Sequence, residues 1–257
     1  MSTRLPRLAS LFVFACAVSA QAAESASPRP VPFNQRLVSN KACGPAALLN
    51  AFRFGDATWQ RGLAATAGES DRERLAYTIR TYGIRPSRQF AGRPRWSSNG
   101  VNLADLTDFA NDMAATQSLP PLKSEVLISL DGSPPRKLLA LAHQRCATSL
   151  AKGLPPVLGL RRFVWRKTPS GQAGWLAVDA HYITITQLPA LGWNAKTFQI
   201  GYLDPNGGRR CVATVHVPET PSPAGLLINC PASSVGRGKV RKGEPTVVMA
   251  SSVLGRW

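Results

Sequence analysis

The order of helical and strand-like patterns constrains the fold of this chain most strongly. Before Gly153 the apolar residues recur at helical spacing, and after it they alternate in short runs separated by Gly, Pro and Asn turns. Because helices come first and strands follow, the order argues against alternating parallel α/β units and predicts the α+β class. We expect a single domain of two lobes, residues 24–257, with the lobe boundary near Gly153.

Start and stop signals define four predicted helices. The first spans about residues 42–54 and ends at Gly55. The second opens with a capping box formed by Ser70 and Glu73, and it ends at Gly83. The other two helices are predicted at "GVNLADLTDFANDMAATQ" and "GSPPRKLLALAHQRCATSLAKG", and the strands at "PPVLGLRRFVW", "WLAVDAHYITITQL", "FQIGYLDP", "CVATVHV", "LLINC" and "TVVMA".

The first residues, "MSTRLPRLASLFVFACAVSAQAAES", contain the three parts of a secretory signal peptide. Arg4 and Arg7 precede a short apolar run, and small residues follow at Ala20–Ala22. We therefore predict a signal peptide at residues 1–23 and a secreted or periplasmic mature protein. Neither this run nor any other apolar stretch is long enough to cross a bilayer, so no transmembrane segment is expected in the mature chain.

The composition is that of a basic globular protein. Hydrophobic residues make up 44% of the chain and charged residues 18%, and the net charge is +17. No nucleic-acid-binding module is recognisable and the aromatic residues do not interleave with the basic ones, so no nucleic-acid partner is expected. The excess positive charge indicates either an anionic cell-envelope component as a partner or simply a solvated basic surface.

The segment "SNKACGPAALLNAFRFGD" places Cys43 at the start of the first helix. The positive end of the helix dipole favours an anion there, and it can lower the pKa of a thiol well below its usual value of about 8.5. Because the thiolate is the nucleophilic form of cysteine, Cys43 is a candidate nucleophile. The alternative is an inert or disulfide-bonded cysteine.

A nucleophilic cysteine needs a base, and the chain contains three histidines. His143 lies beside the apolar stripe of the fourth helix, and His216 alternates within a strand without an acidic neighbour, so both are interpreted as structural. His181 opens the strand "HYITITQL", and Asp204 ends the next strand. Pairing of these two strands would bring the imidazole and the carboxylate together, and the carboxylate would fix the tautomer of the base.

These segments together resemble a known family. The anchors "CGPAALLNAF", "KGLPPVLGL", "HYITITQL" and "IGYLDPNGG" occur in the order found in the papain-like cysteine peptidases. They are most similar to the bacteriocin-processing (double-glycine) branch and its free-standing secreted relatives. The resemblance covers residues 31–208 in these anchors, with an unmatched stretch at about 81–149. It implies a papain-like fold, with an N-terminal helical lobe at about 31–153 and a C-terminal antiparallel β lobe at about 154–257.

The same resemblance implies roles for individual residues. Cys43 matches the nucleophile, His181 the base, and Asp204 the residue that orients the base. The family also uses a Gln before the Cys as an oxyanion donor. Gln35 matches this donor in residue type, although it lies about two residues farther from the cysteine than is usual, and Asn40 is a nearer alternative. The backbone N–H of Cys43 is the expected second donor, because amides at a helix start lack partners within the helix.

The remaining cysteines of the mature chain receive structural interpretations. Cys146 falls on the apolar stripe of the fourth helix and is predicted to lie in the core. Cys211 and Cys230 flank "VATVHVPETPSPAGLLIN", and folding this segment as a hairpin predicts a disulfide between them, with two free core cysteines as the alternative. The Cys and His spacings fit no zinc pattern and no phosphate-binding Gly loop is present, so neither a metal nor another cofactor is expected.

We therefore expect an exported cysteine hydrolase that cleaves peptide or isopeptide bonds of a peptide or protein substrate with a Cys-His-Asp triad. Two alternatives remain from the sequence. One is a non-catalytic envelope-binding module of the same fold, and the other is a γ-glutamyl transferase resembling phytochelatin synthase. Residues 85–121 are interpreted either as an insertion that shapes the substrate cleft or as a surface loop.

Overall fold

The computed structural model describes residues 30–128, 134–167, 171–219, 225–233 and 235–257. The predicted signal peptide lies outside the described residues. In chain order the helices are α1 (Cys43–Arg53), α2 (Ala57–Ala64), α3 (Asp71–Thr78), which continues into a π-helical turn (Ile79–Gly83), α4 (Leu103–Thr116) and α5 (Pro135–Ala151). The strands are β1 (Trp96–Ser97), β2 (Gly100–Val101), β3 (Lys123–Val126), β4 (Val157–Lys167), β5 (Ala173–Gln187), β6 (Thr197–Asp204), β7 (Arg209–His216), β8 (Leu226–Asn229) and β9 (Thr246–Gly255).

The strands β4 to β9 form a closed antiparallel barrel. Strands β4, β5, β6, β7 and β8 pair in sequence order, and β9 pairs with β4 along its length. The ring is closed by pairing of β8 with β9, where Leu226 lies opposite Ala250. Strand β3 is an additional strand that pairs with the end of β9, with Lys123 opposite Gly255. The six-stranded barrel therefore has one extra strand attached to it.

The predicted papain-like fold is wrong. The chain does not form a helical lobe beside a separate β lobe, because the sheet closes on itself as a six-stranded barrel and the five helices of the described residues pack around it. The physical reason is the position of β9, which pairs with β4 on one side and with β8 and β3 on the other. A lobe with an open sheet and a closed barrel share the same alternating strand patterns, so local sequence does not distinguish between them.

Two apolar clusters position the helices on the barrel. The first joins α1 to α4 with the outer face of the sheet and includes Phe52, Trp59 and Phe109 as well as Tyr182 of β5. The second fills the barrel and is covered by α5. Cys146 belongs to it and is 1% exposed, which confirms that this residue lies in the core. The helices are therefore held by burial against the sheet, which is the main source of helix stability in folded proteins.

The helix signals of the sequence agree with the structure except at α2. The capping box of Ser70 and Glu73 is present at the start of α3, and α1, α4 and α5 occupy the predicted segments. Helix α2 was not predicted, because it is short and begins directly after the Gly55 stop signal. Its start is marked by Asp56, whose side chain accepts hydrogen bonds from the backbone N–H groups of Thr58 and Trp59.

The predicted disulfide between Cys211 and Cys230 is not present in the structure, where Cys43, Cys146, Cys211 and Cys230 are all free thiols. The register of the β7–β8 pair accounts for this difference. Thr214 lies opposite Asn229, so continuation of the pairing places Cys230 opposite position 213, two residues along the strand from Cys211. Such diagonal neighbours are separated by about 7–8 Å, whereas a disulfide needs a Cα separation of about 4.4–6.8 Å.

We predict that Cys211 and Cys230 are recovered as free thiols. The protein would be denatured and alkylated without reductant, digested and analysed by mass spectrometry, with a fully reduced sample as the control. We expect both cysteine-containing peptides to be alkylated to the same extent in the two samples, as the buried Cys146 thiol will be. A peptide pair linked through Cys211 and Cys230 in the unreduced sample would contradict the strand register described above.

Candidate active site

Cys43 is the first residue of α1 and is partly exposed, whereas the rest of this helix up to Phe52 is buried. The helix start is packed tightly against its neighbours at Gly44. A Cβ at this position would lie 2.5 Å from Val101 Cγ1 and 3.3 Å from Leu106 Cδ1, which is too close for any side chain without a shift of the surrounding groups. A side chain at the residue after the cysteine would therefore require Val101 and Leu106 to move.

The strands β5 and β6 bring His181 and Asp204 together. They are antiparallel neighbours, with Thr184 opposite Leu203, and His181 Nε2 donates a hydrogen bond to Asp204 Oδ1 at 2.8 Å. Asp204 is fully buried, and the same Oδ1 accepts the backbone N–H of Asn206 at 2.8 Å. Asp204 is therefore the group that holds the imidazole.

The Cys43 thiol and the His181 imidazole line the same cleft, and each shifts the pKa of the other. Because Nε2 of the ring is bound to Asp204, Nδ1 is the nitrogen left to face the thiol. In the neutral form of His181, Nε2 carries the proton and Nδ1 is the acceptor, so the ring is oriented to take a proton from Cys43. The imidazole thus lies between the thiol and the carboxylate, to which it is hydrogen-bonded at 2.8 Å.

The electrostatics of the pair favour charge separation. Burial by itself would raise the pKa of the Cys43 thiol, but the hydrogen bond and positive charge of His181, with the backbone N–H groups of Tyr182 and Gly44, hold the pKa below its ordinary value. Burial by itself would lower the pKa of His181, but its hydrogen bonds to Asp204 and Cys43 and their charges raise the pKa to about 10. The surroundings of the pair therefore favour the thiolate and the imidazolium relative to their neutral forms.

Gln35 and Asn40, the two candidate oxyanion donors, both line the cleft around Cys43, but they are held differently. Gln35 is 4% exposed, and its Nε2 donates to the backbone carbonyl of Asn40 at 2.6 Å. This carbonyl fixes the orientation of the Gln35 amide. If the amide were turned over, its oxygen would face the carbonyl oxygen of Asn40, and both are acceptors. Among the described residues the second Nε2 hydrogen has no partner, so it is left for a ligand. Asn40 is exposed and contributes its backbone as the support of Gln35.

Gln35 is positioned by the same turn that follows Asp204. Its backbone N–H donates to the carbonyl of Pro205 at 2.8 Å, and the preceding segment is anchored to α1 by a hydrogen bond from the Phe33 N–H to Asn50 Oδ1 at 2.7 Å. The N-terminal arm, residues 30–34, therefore joins α1 to the β6–β7 turn. This connection could not be seen in the sequence, because the arm has no regular pattern of its own.

The cleft around Cys43 and His181 has a volume of about 520 Å³. One of its walls is formed by part of the stretch 85–121, for which the sequence allowed either a cleft-shaping insertion or a surface loop. The indole Nε1 of Trp96 donates to the carbonyl of Lys41 at 3.0 Å, and the β1–β2 hairpin then carries Asn99, Gly100 and Val101 into the cleft. This part of the stretch therefore shapes the cleft. Other polar residues that sequence analysis did not single out also line the cleft, among them Arg36, Lys41 and Asp179.

The other two histidines lie outside this cleft, in agreement with their structural interpretation. His143 Nε2 is 2.9 Å from the carbonyl oxygen of Pro189, and its ring packs edge-on against Phe198. His216 lies in β7 opposite Thr197 and Leu227. Within the described residues, no group of three or more His, Cys, Asp or Glu side chains is placed to hold a metal ion. No helix of the described chain is long and apolar enough to span a membrane.

Comparison with known proteins does not identify a family for this chain. The chain matches no protein-family model, and no curated protein sequence matches it significantly.

We predict that alkylation of Cys43 by iodoacetamide depends on His181. In the wild-type protein the inflection of rate against pH should lie below the usual thiol value of about 8.5, because the pKa of Cys43 is lowered and His181 stays protonated up to about pH 10. In His181→Ala the lowering contributions of the imidazole are lost, whereas burial and the backbone N–H groups of Tyr182 and Gly44 remain. The inflection should therefore move upward, and the rate at pH 7 should fall by about tenfold or more.

Cys146 is the internal control for this measurement, since burial raises the pKa of its thiol to about 12. Mass spectrometry of the labelled peptides separates the two sites. Identical rate profiles for Cys43 in the wild-type and His181→Ala proteins would show that the imidazole does not activate the thiol.

Proposed function

We propose that this protein is an exported cysteine hydrolase that cleaves peptide or isopeptide bonds with Cys43, His181 and Asp204. The observation that carries the proposal is the placement of Cys43 and His181 in one open cleft, with the imidazole held by a hydrogen bond to the buried Asp204. The pKa of Cys43 is lowered and that of His181 is raised to about 10, and perturbed pKa values of this kind are typical of catalytic groups.

The first half of the reaction is acylation of Cys43. The thiolate attacks the carbonyl carbon of the scissile amide, so that a C–S bond forms and the carbonyl oxygen becomes an oxyanion. The protonated His181 then gives its proton to the amide nitrogen, the C–N bond breaks, and the amine half of the substrate leaves. Asp204 keeps the imidazole in place and stabilises its protonated form through the bond to Nε2.

The second half is hydrolysis of the thioester. The now neutral His181 accepts a proton from a water molecule as the oxygen attacks the acyl carbon. The C–S bond breaks, the carboxylic acid product leaves, and the thiolate–imidazolium pair is restored. During both halves, the free Nε2 hydrogen of Gln35 and the backbone N–H at the start of α1 are the donors that would stabilise the oxyanion.

The substrate class is proposed from chemistry and from the sequence anchors. The resemblance of the segments around Cys43, His181 and Asp204 to the bacteriocin-processing peptidases favours an amide substrate, and thiolate nucleophiles are well suited to acyl transfer. The mixed polar lining of the cleft is compatible with a peptide backbone, which offers a donor and an acceptor at each residue.

We predict that Cys43→Ala and His181→Ala abolish cleavage while Asp204→Asn reduces it by about 10²–10⁴-fold, because the amide cannot support the correct tautomer and charge of the base. The measurement is the appearance of new termini in a proteome-derived peptide library, read by mass spectrometry. The matched controls are His143→Ala and His216→Ala, which should cleave at the wild-type rate. Cleavage that persists in folded Cys43→Ala protein would remove the proposal.

The library assay also separates the two alternative functions. A γ-glutamyl transferase would give no new peptide termini but would transfer the glutamyl group of glutathione to an added amine in a Cys43-dependent manner. A binding module without activity would do neither, and its Cys43 would not be acylated by an activated ester.

We further predict that Gln35→Ala lowers kcat by about 10²–10³-fold, since loss of one oxyanion donor has an effect of this size. Asn40→Ala should change kcat by less than about tenfold, because the backbone carbonyl that supports Gln35 is retained. The two variants are compared on the peptide that the wild-type protein cleaves best. A larger loss for Asn40→Ala than for Gln35→Ala would assign the donor role to Asn40.

A further inference from the structure

A second cavity adjoins the candidate active site. Its volume is about 310 Å³, and it shares Val101, Ala180, His181 and Tyr182 with the cleft that contains Cys43. Cys43 and the two candidate oxyanion donors line only the first cleft. The second cavity therefore borders the base of the site but not its nucleophile.

This division of the site indicates which half of a substrate each cavity would hold. The acyl carbon must lie at the Cys43 sulfur, next to the oxyanion donors, so the acyl half belongs to the first cleft. The departing amine must lie at His181, which supplies its proton. The second cavity is reached from His181 alone among the catalytic groups, and it is therefore positioned for the amine half.

A β-bulge gives the second cavity its polar lining. Gly159 of β4 lies opposite Ser252 of β9, but the next residue, Leu160, lies opposite Ala250, so Ser251 is an extra residue in β9. Successive side chains of a regular strand point to opposite faces, whereas the bulge lets Ser251 and Ser252 line the same cavity. Ser251 Oγ donates to the carbonyl of Gly159 at 3.1 Å, which holds the bulge in place.

The charge of the second cavity comes from Arg161. This side chain is exposed, and it makes no hydrogen bond or ion pair with any described residue. None of the described residues that line the cavity is acidic. In the first cleft Lys41 lies 4.0 Å from Asp179, and Arg36 Nε donates to the neutral side chain of Asn206. Among the described residues that line the second cavity, Arg161 is the only arginine or lysine, and no described acidic side chain is paired with it.

The wall beside Arg161 is apolar. It contains Leu103 at the start of α4, Val126 at the end of β3 and Ile128 after it. Val126 is 50% exposed, so part of this wall is uncovered in the free protein. A ligand that fills the cavity would therefore need an aliphatic portion as well as an anionic group.

We propose that the second cavity binds the amine half of the substrate and that Arg161 recognises a carboxylate on it. This inference rests on the proposed function, because it uses His181 as the proton donor to the leaving amine. The planar fork of an arginine matches the two oxygens of a carboxylate, and such charge-assisted bonds are among the strongest that side chains make. The carboxylate can belong to an acidic side chain or to the C-terminus of the substrate, and the experiment distinguishes the two.

The test uses the amine half in the reverse direction, as a nucleophile toward the acyl-enzyme. N-acetylglycine p-nitrophenyl ester acylates Cys43 and releases p-nitrophenol, which is seen as a burst. An added amine then attacks the thioester, so that a C–N bond forms, the C–S bond breaks, the amine proton passes to His181 and the thiolate is released. The ratio of acetylglycyl-amine to acetylglycine, measured by chromatography, reports how well the amine is bound.

Three amines are compared at equal concentrations of the unprotonated form. Glutamine amide has no carboxylate, glutamic acid α-amide has one on its side chain, and free glutamine has one at its α position. We expect at least one carboxylate-bearing amine to give a product ratio roughly tenfold above that of glutamine amide. The preference should be lost in Arg161→Gln and partly kept in Arg161→Lys, which retains the charge without the fork.

The matched control is Arg72→Gln, which removes the same charge from an exposed position on α3 outside both cavities and should keep the preference. The melting temperature of each variant verifies folding. A preference for glutamic acid α-amide alone assigns a side-chain carboxylate, and a preference for glutamine alone assigns a C-terminal one.

Equal ratios for all three amines in the wild-type protein, or a preference that survives in Arg161→Gln, would overturn the inference and leave the proposed hydrolase intact. Absence of a burst in the wild-type protein, or an equal burst in Cys43→Ala, would remove the proposed function itself and the inference with it.

Discussion

The hydrogen bond between His181 and Asp204 is the interaction on which the site depends. A fully buried carboxylate is unfavourable unless it is hydrogen-bonded and balanced by positive charge. Asp204 meets this requirement through the imidazole at 2.8 Å, the backbone N–H of Asn206 at 2.8 Å and the guanidinium of Arg209 at 3.6 Å. Asn206 lies in the β6–β7 turn and Arg209 is the first residue of β7. The shape of this hairpin therefore positions the Asp204 carboxylate, which in turn orients the imidazole toward Cys43.

The same hairpin also positions the candidate oxyanion donor. Gly208 has a positive φ of 63°, and a Cβ at this position would lie 2.8 Å from the carbonyl oxygen of Pro32. A residue with a side chain would therefore be strained in its backbone and would push the N-terminal arm away. With glycine there, the arm passes close to the turn and Gln35 bonds to Pro205. The glycines of "DPNGG" thus connect the orientation of the base to the placement of Gln35.

The closed barrel supplies the rigid support for this arrangement. Residues of a catalytic site have to be held within a fraction of an ångström, and strands bonded on both sides are better suited to this than loops. Strand β4 is bonded to both β5 and β9, and its pairings contain two register shifts. One of them places both Ser251 and Ser252 in the cavity beside His181. The barrel therefore contributes to the site through its irregular positions as well as through its rigidity.

Much of the candidate site could be predicted from local sequence. The start of α1 at Cys43, the strand that contains His181 and the turn after Asp204 are each encoded by a few neighbouring residues, through helix-start amides, alternation of apolar side chains and the Pro and Gly residues of the turn. Pairing of two consecutive strands is the simplest arrangement of such a segment, and it was enough to bring His181 to Asp204. The buried position of Cys146 followed in the same way from helical spacing.

Only the tertiary structure decided the features that depend on distant pairings. The barrel closes because Leu226 pairs with Ala250, and strands of an open sheet would show the same alternation, so the papain-like arrangement predicted from the sequence anchors was wrong. The separation of Cys211 from Cys230 depends on a register that the sequence between them does not fix. Arg161 could not be distinguished in the sequence from the other basic residues of a chain with a net charge of +17. What sets it apart is the cavity beside it, which depends on the bulge in β9. Local patterns thus fixed the chemical groups, whereas long-range hydrogen-bond register fixed which of those groups meet.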